Sequence, residues 1–465
     1  MIGLAFEDIL KVTGARLVAG DASRSVLGLS TDTRQLHGGE LYLSLRGPNF
    51  DGDAFAAQAL GRGAAGMILR QAPKTPWPQA VPLAEHPEPR RALGDLARWI
   101  RTRHRGHVIG ITGSCGKTST KEILVQLLST VQRVHGSPAS FNNDVGVPLT
   151  ILGAPEGCDA WVVEIGTNGP GEIANLARIA QPTGSIVTNI GESHLAGLGS
   201  TQGVAKEKGA LVACLGPEHF CVLNADCAFT PYLAGLTRAR IVTFALASRA
   251  DVMATDLHFE AGSTSLQLTA PGLASPVALT VPLLGSHMVQ NLLAALAALV
   301  GMGIPLQQVL PAIAHLRGAG RRMQIHRRDG LTLVDDSYNA NPLSVAAGIR
   351  QLATMETTGR RVLVVGDMLE LGERAVERHH EVGRQAAWAG IDELICVGQF
   401  AGNIAAGAME HGLASSSILT LRDGAACLDA VPGRLRPGDA VLIKASRGVG
   451  LDSLVEALLE QVGAL

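Results

Sequence analysis

The stretch that decides the fold is "GITGSCGKTSTKE", residues 110–122. It overlaps the apolar run "HVIGIT" and leads into the helix-like run "TKEILVQLLSTV". A strand, a glycine turn and a helix in this order surround an anion with backbone N–H groups and a helix N-terminus. Lys117 is then expected to reach the β- and γ-phosphates of a nucleotide, and Thr118 to ligate Mg²⁺. The spacing is nevertheless unusual, because Ile111 and not glycine lies five positions before Gly116.

Length and composition limit the possible class of protein. A chain of 465 residues is too long for one compact core, so two or three domains are expected. A hydrophobic content of 46% and a charged content of 17% are typical of a globular protein. The formal net charge of −2 argues against a nucleic-acid partner or an anionic membrane surface.

The cysteines and the apolar segments predict a cytoplasmic protein without membrane insertion. The seven cysteines are scattered and never spaced C-x-x-C, which argues against a disulfide framework or a zinc site. The N-terminal stretch "MIGLAFEDILKVTG" has no basic start and contains two acidic residues, unlike a signal peptide. The run "LLAALAALVGMGI" at 292–304 is too short to span a bilayer and predicts a buried helix.

Two breaks in the pattern predict three domains, covering residues 1–85, 86–316 and 317–465. The first break is the proline-dense segment 69–89, which we expect to form neither a long helix nor a central strand. The second lies near "AHLRGAGRRMQ". Alternating strands and helices after the first break predict an α/β fold with a mostly parallel central sheet, and the loop at 110–122 predicts that this sheet binds a nucleotide. Beyond the second break, four strand-like runs predict a smaller, Rossmann-like α/β domain.

Several polar residues follow predicted strand ends. Glu164 ends "AWVVE" and is a candidate metal ligand, since Mg²⁺ prefers hard oxygen donors. His194 follows another strand end, and its pattern leaves a ligand and a structural histidine equally open. Lys206 and Lys208 look like an exposed basic helix start. Cys115 reads as a small filler of the glycine loop and not as a nucleophile, and the pair at 379–380 as surface histidines on a charged helix.

Taken together, these segments resemble the Mur ligases of peptidoglycan precursor synthesis. That family uses a shortened loop, G-x-x-G-K-[ST], which "GSCGKT" satisfies. The resemblance extends over nearly the whole chain, through "STDTRQLHGGELYLSLRG", "FNNDVGVPLTIL", "TNIGESHLAGLGS", "GSHMVQNLLAALAA", "DDSYNANPLS", "VGDMLELGERA" and "IKASRG". It implies a monomeric ATP-dependent amide ligase with a UDP-linked substrate.

Within the family, "FNND", "SYNANP" and "GDMLELG" are similar to the member that adds the final dipeptide. The D-N-P-R motif of the member that adds the third residue is absent, and the comparable stretch reads "VGQFAGN". The resemblance therefore implies that D-alanyl-D-alanine is joined to UDP-N-acetylmuramoyl-tripeptide through an acyl phosphate, with release of ADP and phosphate. The product would be the pentapeptide precursor needed for cell wall growth, cell shape and division.

The resemblance also assigns roles to the catalytic and metal-binding residues. Thr118 and Glu164 would hold one Mg²⁺, and His194 would hold a second together with a carboxylated Lys208. Lys206 is the alternative to Lys208 for that modification. A carbamate is anionic, so nearby Mg²⁺ would favour its formation from a lysine and CO₂.

The nucleotide and the substrates would contact residues from all three parts of the chain. The expected ATP-binding residues are Gly113, Ser114, Cys115, Gly116, Lys117, Thr118, Ser119, Asn291 at the adenine with His287 beside it, Arg321 and Asp336. The expected substrate-binding residues are Ser30, Thr31, Asp32 and Arg34 for the uridine nucleotide, and Asn143, Asn339 and Asn341, with Glu370, for loops facing the peptide or nucleotide. Met288 departs from the asparagine that many relatives have there. For the segment from Ser30 to Arg34, a capped turn with a surface arginine is the alternative.

Two other functions share parts of this pattern. Another Mur-type or a folylpolyglutamate-type ligase would use the same ATP chemistry on a different acceptor, although "STDTR" argues against the folate version. A nucleotide-driven switch would use the phosphate loop without an acceptor. The acidic run "LVDDS" at 333–337 resembles the second motif of such a switch, but it lies across a predicted domain boundary.

Overall fold

The computed structural model describes residues 3–260, 262–328 and 330–461. Three sheets, with five, nine and six strands, follow one another along these residues. The chain moves from the first sheet to the second after Glu85, and from the second to the third between Val281 and Gln324. The α/β class and the three-part architecture are thereby confirmed.

The N-terminal part contains a mixed five-stranded sheet and a short two-stranded one. Its elements are β1 (Leu4–Ala5), α1 (Phe6–Thr13), β2 (Arg16–Ala19), β3 (Ser25–Val26), β4 (Leu29–Ser30), β5 (Leu41–Leu43), α2 (Ala56–Gly61), β6 (Gly66–Leu69) and β7 (Leu83–Glu85). The five-stranded order is β2-β7-β6-β5-β4, and β1 pairs with β3. Phe6 and Ile9 of α1 are fully buried and share a core with residues of the central part, so the two parts pack together.

One strand lies inside the proline-rich segment, where we expected no central strand. β7 lies between β2 and β6, so the prediction for residues 69–89 was wrong. The prolines flank the strand and do not lie within it, and the one directly before it, Pro82, still accepts a hydrogen bond from Met67 N (2.9 Å). Residues 83–85 contain no proline and keep their N–H groups, so they can pair on both sides.

The central part contains the nine-stranded sheet. Its elements are α3 (Pro89–Arg101), β8 (His107–Thr112), α4 (Lys117–Leu128), β9 (Val134–Gly136), α5 (Gly146–Leu152), β10 (Ala160–Glu164), α6 (Glu172–Ala180), β11 (Gly184–Val187), α7 (Leu195–Leu198), α8 (Thr201–Ala213), β12 (Phe220–Asn224), α9 (Thr230–Ala234), β13 (Arg240–Ala245), β14 (Val252–Glu260), β15 (Ser263–Thr269), β16 (Val277–Val281), α10 (Ser286–Gly301) and α11 (Leu310–Ile313). The sheet order is β16-β15-β14-β13-β12-β11-β8-β10-β9.

Parallel pairing in the central sheet determines where the site forms. The seven strands from β8 to β14 pair in parallel, whereas β15 and β16 add an antiparallel extension that the sequence did not predict. Because parallel strands end at the same edge, the loops after β8, β10, β11 and β12 meet there. The predicted buried helix is α10, whose almost entirely apolar sequence packs against α4 and the sheet.

The C-terminal part is the smaller α/β unit that the sequence predicted. Its elements are β17 (Gln324–Arg328), β18 (Leu331–Asp335), α12 (Pro342–Thr354), β19 (Arg361–Gly366), α13 (Ala375–Trp388), β20 (Glu393–Val397), α14 (Ala401–Glu410), β21 (Ile418–Leu421), α15 (Gly424–Ala430), β22 (Ala440–Lys444) and α16 (Asp452–Gln461). The order is β17-β18-β22-β19-β20-β21, with β17 antiparallel. The four expected strand runs are β18, β19, β20 and β22. None of the described helices has the length and apolar character needed to cross a membrane.

His379 of α13 is buried, which corrects the expectation of a surface residue. Its side chain has 0% exposure and stacks on Phe400 with 4.5 Å between ring centroids. Nδ1 donates to Ala375 O (2.6 Å), and Nε2 accepts from Met368 N (2.8 Å), so the neutral ring satisfies both partners. Burial lowers the pKa of His379. The charged residues around it misled the sequence prediction, because they lie on the opposite face of the same helix.

The pKa of His379 predicts a loss of stability in mild acid. A histidine with a lowered native pKa binds fewer protons when folded, so its stabilising effect is complete above about pH 6.5 and decreases as the pH falls through that value. We expect the free energy of unfolding to fall between pH 7 and 5, by at most about 1.4 kcal/mol per pH unit for this residue. Denaturant unfolding of His379→Gln should show a shallower pH slope, whereas His380→Gln should keep the slope of the parent.

Candidate active site

A cavity of about 910 Å³ lies between the carboxyl edge of the central sheet and the C-terminal part. Most of the predicted site residues line it, namely Ser114, Cys115, Gly116, Lys117, Thr118, Ser119, Asn143, Glu164, His194, His287, Asn291, Asp336, Asn339, Asn341 and Glu370. The others do not line it, namely Gly113, Lys208, Arg321, Ser30, Thr31, Asp32 and Arg34. The site is therefore formed where two parts of the chain meet.

The phosphate loop connects β8 to α4 and requires glycine at two positions. Gly116 has φ +82°, and a Cβ there would lie 2.2 Å from Asn291 Oδ1. Gly113 has φ +149°, and a Cβ there would lie 1.9 Å from Thr188 Oγ1. These close approaches explain why both positions are glycine, because each packs directly against a side chain of a neighbouring element.

Lys117 is the first residue of α4 and lines the cavity. Its Nζ donates to Gly113 O at 2.7 Å, so the side chain folds back across its own loop. Burial lowers the pKa of Lys117, while the Glu164 carboxylate opposes that shift. An anionic phosphate at the loop would restore a strong preference for the ammonium form.

Thr118 and Glu164 form a pair of oxygen donors behind the loop. The Thr118 hydroxyl donates to Glu164 Oε2 at 2.8 Å, and Asn142 Nδ2 donates to Glu164 Oε1 at 2.8 Å. Glu164 has 1% exposure because it ends the buried strand β10. A buried carboxylate beside a hydroxyl fits the preference of Mg²⁺ for oxygen ligands. Asn142 was missed by the sequence prediction, which singled out only its neighbour Asn143.

Arg322, and not the predicted Arg321, reaches the phosphate loop. Its Nη2 donates to Thr118 Oγ1 at 2.9 Å, and its guanidinium lies 4.3 Å from the ring centroid of Tyr338. Arg321 instead pairs with Asp452 (2.5 Å) and Glu456 (2.6 Å) of α16. Adjacent arginines before a strand point in different directions, so the sequence could not distinguish them, and the choice of Arg321 is corrected to Arg322.

This difference predicts opposite effects for two neighbouring substitutions. Arg322→Ala should lower kcat/KM by roughly 10- to 100-fold, because the cavity loses a cation close to the phosphate loop. Arg321→Ala should leave kcat/KM nearly unchanged and alter the unfolding free energy by no more than about 1 kcal/mol, as expected for an exposed ion pair. Phosphate-release kinetics and denaturant unfolding of both variants would measure this, and the reverse ranking would contradict the placement.

His194 lines the cavity where the central part of the chain meets the C-terminal part. It precedes α7 with a φ of +53°, an uncommon conformation for a residue with a side chain. Its Nδ1 lies 2.6 Å from Glu370 Oε2, and Glu370 also has a positive φ of 66°. The close contact with the His194 ring holds the pKa of Glu370 below its usual value. Two strained residues from separate parts of the chain thus meet beside the cavity.

Lys208 is fully buried, contrary to the exposed helix start that its pattern suggested. It lies on α8 with 0% exposure, and Nζ has no hydrogen-bond partner among the described residues. Burial, with the nearby positive charge of Lys117, lowers the pKa of Lys208 well below its usual value. Lys206, two residues earlier, is exposed. Such an unpaired buried amine is costly unless a ligand or a modification compensates it.

Residues of α10 and the C-terminal part complete the cavity. Asn291 Oδ1 accepts from Thr120 Oγ1 at 3.3 Å, and burial lowers the pKa of His287 to about 4. Asp336 Oδ2 accepts from Lys444 Nζ at 2.6 Å, and Lys444 also donates to Asn339 O at 2.9 Å. Lys444 was not among the predicted site residues, although the segment "IKASRG" that contains it was part of the family resemblance.

Asn341 connects the C-terminal part directly to the phosphate loop. Its Nδ2 donates to Ser114 O at 3.1 Å, and its Oδ1 lies 3.0 Å from Cys115 Sγ. The same residue caps α12 through a reciprocal pair of hydrogen bonds with Ser344. Burial raises the pKa of Cys115, which agrees with a packing role and not a nucleophilic one.

The segment from Ser30 to Arg34 forms a capped turn in the N-terminal part, away from the cavity. Ser30 Oγ donates to Asp32 O at 2.9 Å, and Asp32 accepts from Arg34 N at 2.9 Å. The Arg34 side chain is 82% exposed and pairs with Asp32 at 2.7 Å. A role of this turn in uridine binding stays a prediction.

The candidate metal ligands do not form a familiar cluster. Within the described ranges there is no group of three or more histidine, cysteine, aspartate or glutamate side chains that could hold a metal. The candidates instead combine a hydroxyl, a carboxylate, an imidazole and a buried amine. Whether these residues can hold a cation therefore depends on oxygens supplied by a nucleotide and on whether Lys208 is carboxylated.

Comparison with known proteins agrees with this geometry. Residues 111–299 match the Mur ligase middle domain, and residues 321–447 match the Mur ligase glutamate ligase domain. The UDP-N-acetylmuramoyl-tripeptide–D-alanyl-D-alanine ligases of Bacillus subtilis and Escherichia coli are each 33% identical, with 99% of this chain and 99% of each relative covered. MurF from Acinetobacter baumannii superimposes with a TM-score of 0.89 at 26% identity, over 99% of both chains. MurF from Thermotoga maritima in complex with ADP superimposes with a TM-score of 0.80 at 27% identity, over 94% of this chain and 98% of that one.

The nucleotide loop, the two-part cavity and these matches define an ATP-dependent ligase. The chain belongs to the Mur ligase family. The relatives that match it over their full length are the ligases that act on UDP-N-acetylmuramoyl-tripeptide and D-alanyl-D-alanine. The family and the particular member expected from the sequence are thereby confirmed.

Proposed function

We propose that the chain joins D-alanyl-D-alanine to UDP-N-acetylmuramoyl-tripeptide at the expense of ATP, and that the residues of the cavity carry out this reaction as follows. The observation that supports these roles is the cavity itself, in which the phosphate loop faces Arg322, Asp336 and Asn341 of the C-terminal part. Reactants bound there are shared between two parts of the chain. The product is the pentapeptide precursor of peptidoglycan.

ATP occupies the edge of the cavity formed by the phosphate loop and α10. The N-terminus of α4 and the loop N–H groups hold the phosphates, and Lys117 pairs with the β- and γ-phosphates. Asn291 and His287 contact the adenine, and Asp336 with Lys444 contacts the ribose. Arg322 Nη2 lies 2.9 Å from the Thr118 hydroxyl, so its guanidinium approaches the terminal phosphate from the side of the C-terminal part.

The donor set fits two magnesium ions only if Lys208 is carboxylated to an anionic carbamate. Thr118 and Glu164 would hold one ion, and His194 with carboxylated Lys208 would hold the other. Bound Mg²⁺ neutralises phosphate charge and polarises the acceptor carboxylate. The lowered pKa of Lys208 keeps more of its amine neutral. The neutral amine adds to the carbon of CO₂ and loses one proton, which leaves an N-carboxylate in place of an unpaired amine.

The ligation itself takes two steps. An oxygen of the tripeptide carboxylate attacks the γ-phosphorus of ATP, which forms an acyl phosphate and releases ADP. The dipeptide amine then attacks the acyl carbon, and the new amide forms as phosphate leaves and the amine loses a proton. Lys117 and Arg322 stabilise the charge of the transferring phosphoryl group, while the docked C-terminal part excludes water from the acyl phosphate.

The activity is tested by product mass and phosphate release with single acceptors. MgATP, UDP-N-acetylmuramoyl-tripeptide and D-alanyl-D-alanine should yield phosphate and a product heavier by one dipeptide residue. Omission of either organic substrate should abolish phosphate release, which distinguishes a ligase from a nucleotide-driven switch. Product formed only with a single amino acid would assign the chain to another ligase of the family.

We also propose that the protein acts in the cytoplasm. All seven cysteines lie among the described residues and are free, as expected for a reducing compartment. ATP and a UDP-linked substrate are consistent with the same location.

A further inference from the structure

Four charged side chains join the central and C-terminal parts beside the cavity but do not line it. Glu192 belongs to the loop between β11 and α7, whereas Arg374, Glu377 and Arg378 lie at the start of α13. We refer to these four residues as the interdomain clasp. The mechanism above uses none of them.

Glu192 binds two arginines at once. Arg378 Nη2 donates to Oε1 at 2.9 Å, and the same guanidinium pairs with Oε2 through charge alone, with Nε 2.6 Å away but not in hydrogen-bond geometry. Arg374 Nη1 donates to the same Oε1. The side chains of Glu192 and Arg378 are only 17% and 22% exposed. Charge-assisted hydrogen bonds from two different arginines to one carboxylate, mostly shielded from water, restrict the distance and the orientation between the two parts.

The loop that carries Glu192 is itself fixed to the phosphate loop. Gly191 N donates to Ser114 Oγ at 2.9 Å, and Ser114 Oγ donates to Gly191 O at 2.9 Å. Cys115 N donates to Asn189 Oδ1 at 2.9 Å. A force on Glu192 is therefore transmitted to the phosphate loop through the hydrogen bonds of Asn189 and Gly191, which precede it in the same loop.

We propose that Glu192 is a positioning residue, which sets the C-terminal part on the phosphate loop through Arg374 and Arg378. The inference rests on the proposed ligase function. By holding α13, the clasp fixes the part of the chain that brings Arg322 and Asn341 to the loop. The neighbouring contact between Ala196 N and Glu370 O, at 3.1 Å, fixes the same interface at a second point.

The charges of the clasp balance only when the two parts are docked. Glu377 pairs with Arg374 at 3.1 Å and with Arg378 at 3.4 Å, all three at the N-terminal end of α13 and on the same side of the interface. Two arginines therefore face two carboxylates in the docked arrangement. Separation leaves one unpaired positive charge on α13 and one unpaired negative charge on the Glu192 loop, so salt should weaken docking by screening their attraction.

Glu192→Gln tests the proposal, and Glu377→Gln is its matched control. Both substitutions remove one carboxylate from the same two arginines, but only Glu192 lies across the interface. We expect Glu192→Gln to lower kcat/KM for D-alanyl-D-alanine about tenfold, with the KM for the UDP-linked tripeptide and the unfolding temperature unchanged. Glu377→Gln should stay within about twofold of the parent. Added KCl should lower kcat/KM of the parent more steeply than that of Glu192→Gln.

A double substitution identifies the route by which Glu192 acts. If Glu192 acts through Arg378, the double variant Glu192→Gln/Arg378→Gln should have a kcat/KM no lower than that of the less active single variant. The two substitutions then remove the same interaction. Equal effects of Glu192→Gln and Glu377→Gln, or additive effects of the pair, would overturn the proposal. An inactive parent would instead contradict the ligase function, so the two failures are distinguishable.

Discussion

Replacement of Lys208 by methionine is expected to lower kcat/KM by roughly 10³-fold or more while leaving the protein at least as stable as the parent. The methionine fills a similar volume but cannot be carboxylated. It also removes a buried amine that has no hydrogen-bond partner among the described residues, and such a group opposes folding. Ligation kinetics and denaturant unfolding, measured on the same preparations, would show whether activity and stability change in these directions.

Chemical rescue and isotope labelling connect this loss of activity to the modification. In Lys208→Ala, acetate or formate should restore part of the activity, since a small carboxylate can occupy the space that the side chain leaves. A carbamate signal from ¹³C-labelled CO₂ should appear in the parent and in Lys206→Ala but not in Lys208→Ala. The exposed Lys206 lies on the same helix and serves as the matched control. A carbamate signal that persists in Lys208→Ala would assign the modification elsewhere.

Lys117→Met is expected to lower kcat/KM by roughly 10³-fold or more through loss of nucleotide binding and of charge stabilisation during phosphoryl transfer. The Lys117 side chain lies over its own loop, with Nζ 2.7 Å from Gly113 O, and lines the cavity beside Thr118. The positive charge of Lys117 is needed next to the bound phosphates, because a backbone N–H carries only a partial charge and cannot replace it.

Calorimetry separates this effect from damage to the fold. Lys117→Met should bind ADP much more weakly than the parent, and should bind the UDP-linked tripeptide with unchanged affinity if that substrate is held mainly by the N-terminal part. The unfolding temperature should also stay close to that of the parent. ADP binding and ligation at parental rates would contradict the role of Lys117.

The phosphate loop and the strand pattern were predictable because they depend on short stretches of sequence. Gly113, Gly116 and Lys117 lie within a single strand–turn–helix unit, and the apolar runs that became β8, β10 and β18 are each continuous. Glu164 was predictable for the same reason, because it ends one of those runs. The family resemblance extended this local reading to nearly the whole chain, and the comparisons confirm it.

Other features depend on which face of an element is buried, and their sequence patterns were misleading. The sequence pattern around His379 suggested a charged surface helix, but one face of α13 packs against α14 and the residue before it, Phe400, and this packing buries His379. Lys208 looked exposed beside Lys206, but two residues on a helix point in different directions. Arg321 and Arg322 differ in the same way, and only the second faces the loop.

By itself the sequence determined the α/β class, the three-part organisation, the phosphate loop and the family, because each is encoded in contiguous residues. Only the tertiary structure decided which lysine is buried, which arginine enters the cavity, and that Glu192 meets Arg374 and Arg378 across the interface. These contacts join residues far apart in the chain, and their geometry depends on how separate sheets dock. No local pattern encodes that docking, since it is determined by the packing of whole surfaces.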